Sequence, residues 1–345
     1  MTEDGSSEGN GPPSTFDLNV EAIIEEVNGR DAELVTLQLP EGLKRRALDL
    51  ATRIEKATGA VVIVSADPCY GACDLLDDLL EPLGVDMVIH VGHTLLGDTP
   101  PRLPTVFVEA PSRLDVRPAV EAAVPLLPPE GRIGLLTTTQ HRHAIMDAAA
   151  VLEEAGFRTA IGEGGRRLAF PGQVLGCDLS AGRAVADSVD AFLLVGGGSF
   201  HAVGVSLASR RMVVVADVEM GTARRVDEER DRILRLRSAA IGRAKDAQTF
   251  GILVESRPGQ QRWALARSLR DMLRESGHQP LLVLMKEVSP DRLISLGMDA
   301  YVSTACPRIA VDDQSAYPMP VLTPQEIRIL LGKETWGDYR LDEIG

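Results

Sequence analysis

Residues 35–65, VTLQLPEGLKRRALDLATRIEKATGAVVIVS, set out the unit from which the rest of the chain can be parsed. Val35–Leu39 is a short apolar run of strand length. After Gly42, the stretch Leu43–Thr58 repeats apolar residues at helical spacing, with Leu43, Ala47, Leu50, Ala51 and Ile54 on one face. Gly59 stands where a helix commonly ends, and Ala60–Ser65 is a second apolar run rich in β-branched residues. Strand, helix and strand in this order, with strands that are apolar throughout, describe a parallel sheet covered on both faces.

The same pattern recurs twice. Ile133–Thr137 leads to a helical stretch His143–Ala155, with Ile145, Ala148, Leu152 and Ala155 in phase, then Gly156 and the strand Phe157–Ile161. Phe250–Val254 leads to Gln260–Ser276, with Trp263, Leu265, Leu269 and Leu273 in phase, then Gly277 and the strand Leu281–Leu284. Each unit adds a strand opened by an aspartate: Asp86 to His90, Asp190 to Leu194 and Asp299 to Ser303. A further β-type run closes each, at Thr105–Val108, Met212–Ala216 and Met319–Leu322. The expected fold is α/β: three similar parallel-sheet domains over 16–112, 128–224 and 246–345, arranged about a pseudo-threefold axis. The linkers are a proline-bearing stretch from Pro118 to Pro129 and a charged one from Arg224 to Arg243, which reads as a solvated helix. Residues 1–15, polar and rich in Gly, Ser and acidic residues, read as a disordered tail.

Composition narrows the class of function. Apolar residues make up 44% of the 345, ordinary for a globular chain, and no uninterrupted apolar stretch reaches membrane-spanning length. The N-terminus lacks the basic-then-apolar order of a signal peptide, so a cytoplasmic protein is expected. A net charge of −14 argues against a general nucleic-acid binder, which needs clustered Lys and Arg against phosphates. A P-loop, an H-E-x-x-H motif and a local Ser-His-Asp arrangement are all missing from the sequence.

The four cysteines, Cys69, Cys73, Cys177 and Cys306, are too few and too scattered for a disulfide framework. Cys69 and Cys73 follow the second strand of the first unit, Cys177 follows the second strand of the second, and Cys306 ends the Asp299 strand of the third. All occupy Gly/Pro-punctuated loops at the carboxyl edge of a parallel sheet, where ligands gather in open α/β folds. One thiol from each unit, meeting in a reducing compartment, implies a soft metal. Structural zinc usually takes four ligands in close pairs, whereas a cubane iron–sulfur cluster can be held by three cysteines with one iron left open. Reduced core thiols and a zinc-stabilised scaffold are the alternatives on spacing alone.

Eight stretches, in this order, resemble a known family: LQLPEG (Leu37–Gly42), YGACD (Tyr70–Asp74), HVGH (His90–His93), TTTQH (Thr137–His141), LGCD (Leu175–Asp178), GGGSFH (Gly196–His201), GILVESRPGQ (Gly251–Gln260) and TACPRIAVDD (Thr304–Asp313). The family is the archaeal 2-(3-amino-3-carboxypropyl)histidine synthases, which catalyse the first step of diphthamide biosynthesis. The resemblance implies three α/β domains that each give one cysteine to a 4Fe–4S cluster, and a homodimer served by an electron donor. It implies a transferase that cleaves S-adenosylmethionine between sulfur and the methionine-side Cγ. The 3-amino-3-carboxypropyl group passes as a radical to a histidine of translation elongation factor 2. Carried over residue by residue, the cluster ligands fall on Cys73, Cys177 and Cys306. Cys69 has Cys-x₃-Cys spacing to Cys73 and is the departure to weigh; Cys73 is preferred because it stands in the Gly-Ala-Cys motif.

Beside the cluster, five residues are candidates for S-adenosylmethionine. Gln140 and His141 follow a strand and would hydrogen-bond the adenosine or the carboxylate, or else cap a helix. Gly197 and Gly198 let the backbone approach a ligand, or else form a tight turn; the run is not a full G-x-G-x-x-G. Arg308 would grip a carboxylate with two nitrogens, or else hold Asp312 or Asp313. His93 and His201 line a cavity or satisfy a loop. Two rival readings remain at this level: a quinolinate-synthase-like dehydratase with a three-cysteine cluster, and a non-catalytic supporting subunit. Retention of all three cysteines speaks against the second.

Overall fold

The computed structural model describes residues 15–344. The tail expected over 1–15 lies, except for its last residue, outside the described residues.

Three sheets carry the fold. The first contains β1 (Leu34–Gln38), β2 (Val61–Val64), β3 (Met87–Val91) and β4 (Thr105–Val108), in the order β2-β1-β3-β4. The second contains β5 (Arg132–Thr137), β6 (Arg158–Ala160), β7 (Ala191–Val195), β8 (Met212–Asp217) and β9 (Thr222–Arg225), in the order β6-β5-β7-β8-β9. The third contains β10 (Thr249–Glu255), β11 (Gln279–Met285), β12 (Ala300–Ser303) and β13 (Val321–Leu322), in the order β11-β10-β12-β13. The order second-first-third-fourth is thus repeated three times, with parallel pairing throughout except where β9 folds back on β8. In each sheet the second strand is added on one side of the first and the third and fourth on the other, so the strand order reverses between the first and third strands, and the crevice at their carboxyl ends is the switch point where such folds bind ligands.

The repeat extends to side chains. The aspartate that opens the third strand reaches across to the start of the first. Asp86 accepts from the backbone N–H groups of Glu33 and Leu34, Asp190 from that of Arg132, and Asp299 from those of Gln248 and Thr249. Each carboxylate thereby satisfies an edge donor and fixes the register of the two central strands. In the second and third sheets a glycine on the first strand makes room for an aromatic ring on the third. A Cβ on Gly134 would stand 2.4 Å from the ring of Phe192, and one on Gly251 would stand 2.3 Å from that of Tyr301. These rings are among the largest fully buried side chains, so the glycines are packing positions and not breaks in the strands.

The helices begin later than their apolar spacing predicts. In every unit a 3₁₀ turn comes first: Glu41–Arg46 before the helix Ala47–Thr58, Thr139–Ala144 before Ile145–Glu154, and Pro258–Gln260 near the start of Trp263–Glu275. Trp263, counted on the apolar face, is 53% exposed, while Leu269 and Leu273 are buried. The charged segment read as a solvated connector is a helix, Asp227–Arg243, but it is not solvated all round. Arg237 is buried and donates to both carboxylate oxygens of Glu326, to the carbonyls of Ala310 and Val321, and to Gln314.

Two compact units result. The smaller holds the described residues to Ala72 together with Leu76–Leu95 and Pro100–Leu114, and therefore the first sheet. The larger holds Cys73–Leu75, Leu96–Thr99 and the described residues from Asp115 onward, and therefore the other two. Among the described residues, no helix is long and apolar enough to cross a membrane.

Candidate metal centre

Cys73, Cys177 and Cys306 all belong to the larger unit, and each is partly buried. Cys306 lies three residues beyond the end of β12 and stands at the N-terminus of the short helix Pro307–Val311. Cys177 sits in a loop closed by an antiparallel bridge between Leu175 and Asp178. The C-terminal segment holds that loop: Ile344 N–H donates to the Cys177 carbonyl at 2.9 Å, and Leu179 N–H donates to Glu343 at 2.8 Å. Asp178 caps the next turn by accepting from Ser180.

Cys73 is seated against the 3₁₀ turn Pro258–Gln260. Gly259 N–H donates to the Cys73 carbonyl at 3.1 Å, and a Cβ on Gly259 would stand 2.5 Å from Cys73 Cα. Only glycine fits there, because the opposing atoms are the Cys73 Cα, Cβ and carbonyl oxygen, which cannot swing aside. The next residue joins two of the cysteines. Gln260 donates from Nε2 to Cys73 Sγ at 3.3 Å, and its Oε1 accepts from Cys306 N–H at 3.1 Å. Arg167, 3% exposed, donates to the Gly259 carbonyl at 3.0 Å and to Asp98 at 2.9 Å. Behind this layer Arg257 pairs with Asp74 at 3.1 Å and with Glu255 at 2.9 Å, all three buried.

Burial pushes the Cys177 and Cys306 thiols up to about 12 and raises Cys73 as well. The three sulfurs are close enough to act on one another: negative charge on Cys73 raises both Cys177 and Cys306. Arg167 pulls Cys73 and Cys177 the other way, and the Gln260 amide does so for Cys73. Three thiols with a buried guanidinium and an amide donor beside them make a site that holds thiolates once a soft cation replaces their protons.

The remaining sequence candidates lie at the carboxyl ends of the same sheets. Gln140 is half-buried and His141 buried, both on the 3₁₀ turn after β5. The Gly196–Gly198 run follows β7; Gly196 and Gly198 have positive φ, and Gly198 opens the helix Ser199–Ser209. Gly196 lies beside the His141 ring, 3.2 Å from its Cδ2 to an added Cβ. Burial lowers His141 to about 4, with His143 adding to the effect. It also lowers His201 to about 4, with Arg308 adding to it. Arg308 donates from Nε to Asp312 at 2.6 Å and lies over the Phe200 ring at 5.3 Å. Phe200 in turn packs on Gly176, next to Cys177.

A second group of metal-ligating atoms lies in the smaller unit. Cys69 Sγ, one ring nitrogen of His90 and one of His93 all fall within 4.8 Å of one another. Burial lowers His90 to about 3, with His93 adding to the effect, and lowers His93 to about 4.

Gln260 and Arg167 were not recognised as site residues in the sequence. Gln260 reads as a helix start and Arg167 as one arginine among many. Their roles come from contacts between residues far apart in the chain, which local spacing does not encode.

The comparisons with known proteins agree on one family. The family model described as "Putative diphthamide synthesis protein" matches residues 39–340. The chain is 37% identical over 323 residues to the 2-(3-amino-3-carboxypropyl)histidine synthase of Pyrococcus horikoshii, covering 93% of this chain and 92% of the relative. It is 29% identical to the human 2-(3-amino-3-carboxypropyl)histidine synthase subunit 1, over 94% of this chain and 74% of that one. The crystal structure of Dph2 from Pyrococcus horikoshii with a 4Fe–4S cluster superposes with a TM-score of 0.88 at 35% identity, covering 95% and 94% of the two chains. With its motifs, its three repeated sheets and these matches in agreement, the chain belongs to the diphthamide synthesis protein family.

Proposed function

We propose that this chain is a 2-(3-amino-3-carboxypropyl)histidine synthase acting on translation elongation factor 2, with S-adenosylmethionine as the donor of the transferred group. The observation that carries the reading is the seat of the cysteines: three of them in loops of the larger unit, with Gln260 linking the Cys73 sulfur to the Cys306 backbone N–H. The donor set fits a 4Fe–4S cluster, since three thiols leave one of four irons without a protein ligand. Cys73, Cys177 and Cys306 would hold it. When bound, such a cluster supplies the electron that splits the sulfonium at the bond to the methionine Cγ, which frees methylthioadenosine.

The chain's own residues bind, orient and exclude water. Gln260 fixes the Cys73 sulfur relative to the Cys306 backbone, and Gly259 lets the two loops close. Arg167 places a positive charge where three thiolates would otherwise repel one another. Arg308, beside Cys306, is assigned to the donor's carboxylate, with Gln140, His141, Gly197 and Gly198 assigned to the rest of the donor. Holding donor and acceptor in one geometry is the contribution that such residues make to rate. An electron donor protein and a homodimer complete the proposed assembly.

The test is an anaerobic incubation of the iron-loaded chain with a reductant, S-adenosylmethionine and archaeal elongation factor 2. Mass spectrometry of the factor is expected to show one histidine carrying an aminocarboxypropyl group. An unmodified factor, from protein shown to carry its iron, would move the assignment to the dehydratase or supporting-subunit class.

A further inference from the structure

The Cys69, His90 and His93 group shares no residue with the three cysteines of the larger unit and belongs wholly to the smaller unit. Its position in the fold is specific. His90 is on β3 and pairs in register with Gln38 on β1, so the two mark the switch point of the first sheet. His90 Nδ1 stands 2.9 Å from Gln38 Oε1. An amide oxygen can only accept, so Nδ1 carries the ring proton and Nε2 presents its lone pair. That lone pair faces two groups at once: His93 Nδ1 at 3.0 Å and Cys69 Sγ at 3.8 Å. One lone pair satisfies one hydrogen, whereas a cation at the centre of the three atoms satisfies all of them.

The spacing suits a small tetrahedral ion. With bonds of about 2.05 Å to nitrogen and about 2.3 Å to sulfur, tetrahedral geometry puts two nitrogens ~3.3 Å apart and nitrogen ~3.6 Å from sulfur. The two separations from His90, 3.0 and 3.8 Å, sit on either side of these, and all three atoms lie within 4.8 Å of one another. The surroundings are those of a built site. Cys69 and His90 are buried, the His90 ring is packed against Phe107 at 5.1 Å, and Gln38 orients the ligand through its far nitrogen, as carboxylates and carbonyls do behind metal-bound histidines.

We propose that Cys69, His90 and His93 bind a single zinc-class divalent cation, separate from the iron site, with one coordination position open. One thiolate and two neutral imidazoles are the ligand set expected of a borderline-soft ion and are too few in sulfur for a cluster. The site gives Cys69 a role of its own and makes it independent of Cys73 despite their closeness in sequence.

The experiment measures zinc and iron per chain in the full-length protein by elemental analysis, with cobalt(II) as a spectroscopic probe. Wild type is expected to carry about one zinc beside its iron, and cobalt to give a thiolate charge-transfer band. Cys69→Ser and His93→Gln are each expected to lose the zinc and the band while keeping the iron. Cys73→Ser is expected to lose iron and keep zinc, which separates this site from zinc lodged among the cluster cysteines. Should a ligand variant fail to fold, cobalt binding to the wild-type chain still decides. A wild type with no zinc and no cobalt band, or zinc that disappears with Cys73 and not with Cys69, would overturn the proposal.

Discussion

At the residue scale, the proposed iron site rests on Cys73, Cys177 and Cys306 and on the side chains that hold them. Four cysteines in 345 residues, each in a loop beyond a strand, stand out because soft ligands are rare and loops at strand ends are where chemistry collects. Replacing Cys73, Cys177 or Cys306 with Ala should abolish bound iron, whereas Cys69→Ala should keep it; iron per chain after anaerobic reconstitution decides both. Gln260 is 187 residues from Cys73 in sequence, so no local pattern announces their hydrogen bond. Gln260→Ala should weaken iron binding roughly 10–100-fold, the usual cost of losing an orienting partner behind a ligand. Gly259→Ala should lower iron content further by pushing the Cys73 backbone away. Gly242→Ala, which has open space around it, should leave iron content unchanged.

The histidines add a pH dependence of stability. His141 and His201 have folded values of about 4, below the 6.5 of an unperturbed imidazole, chiefly because burial disfavours the charged ring. The unfolded chain therefore takes up protons first as pH falls. The stability these rings contribute is fully present above pH 6.5 and drains away between 6.5 and about 4. Urea midpoints should fall steadily over that window, and His201→Gln should flatten the slope. An equal slope in wild type and variant would count against it.

At the element scale, strands and helices were read from period alone, and the misreadings share one physical cause. Hydrophobic spacing reports which face meets a core; it does not report 3₁₀ geometry, whose residues make polar contacts of their own. Hence most of the turn Glu41–Arg46, and the last residues of Thr139–Ala144 and Pro258–Gln260, were read as part of the helices that follow. The helix Asp227–Arg243 shows the complementary failure. Its charged composition reads as solvated, yet Arg237 is buried on Glu326, which also closes the capping box with Thr323 and accepts from Tyr339. Removing one partner of a buried pair leaves an uncompensated charge. Arg237→Met should therefore cost about 3–5 kcal/mol of stability, and the double variant Arg237→Met with Glu326→Leu should recover part of it. Thermal or denaturant unfolding of the two proteins checks this, and a single variant as stable as wild type would contradict it.

At the scale of the whole molecule, the threefold repeat was legible because each unit carries the same sequence of strand, helix, glycine and aspartate-led strand, whereas the order of strands within a sheet was not read. The three aspartates then proved to be physical staples, each joining the first and third strands of its own sheet. The antiparallel β9 was not foreseen, since TARR offers no apolar alternation to mark it. The unit to which Cys73 belongs was also beyond the sequence: Cys73–Leu75 falls in the larger unit, although it follows a strand of the first sheet. The reaction assigned to this architecture differs from other S-adenosylmethionine chemistry in which carbon–sulfur bond breaks. The most direct measurement is therefore the nucleoside released from S-adenosylmethionine when the reduced, iron-loaded protein is incubated with elongation factor 2. Methylthioadenosine, in step with the mass gained by the factor and absent from the Cys177→Ala protein, is the predicted result. Release of 5′-deoxyadenosine in its place, or full methylthioadenosine formation by the Cys177→Ala protein, would contradict it.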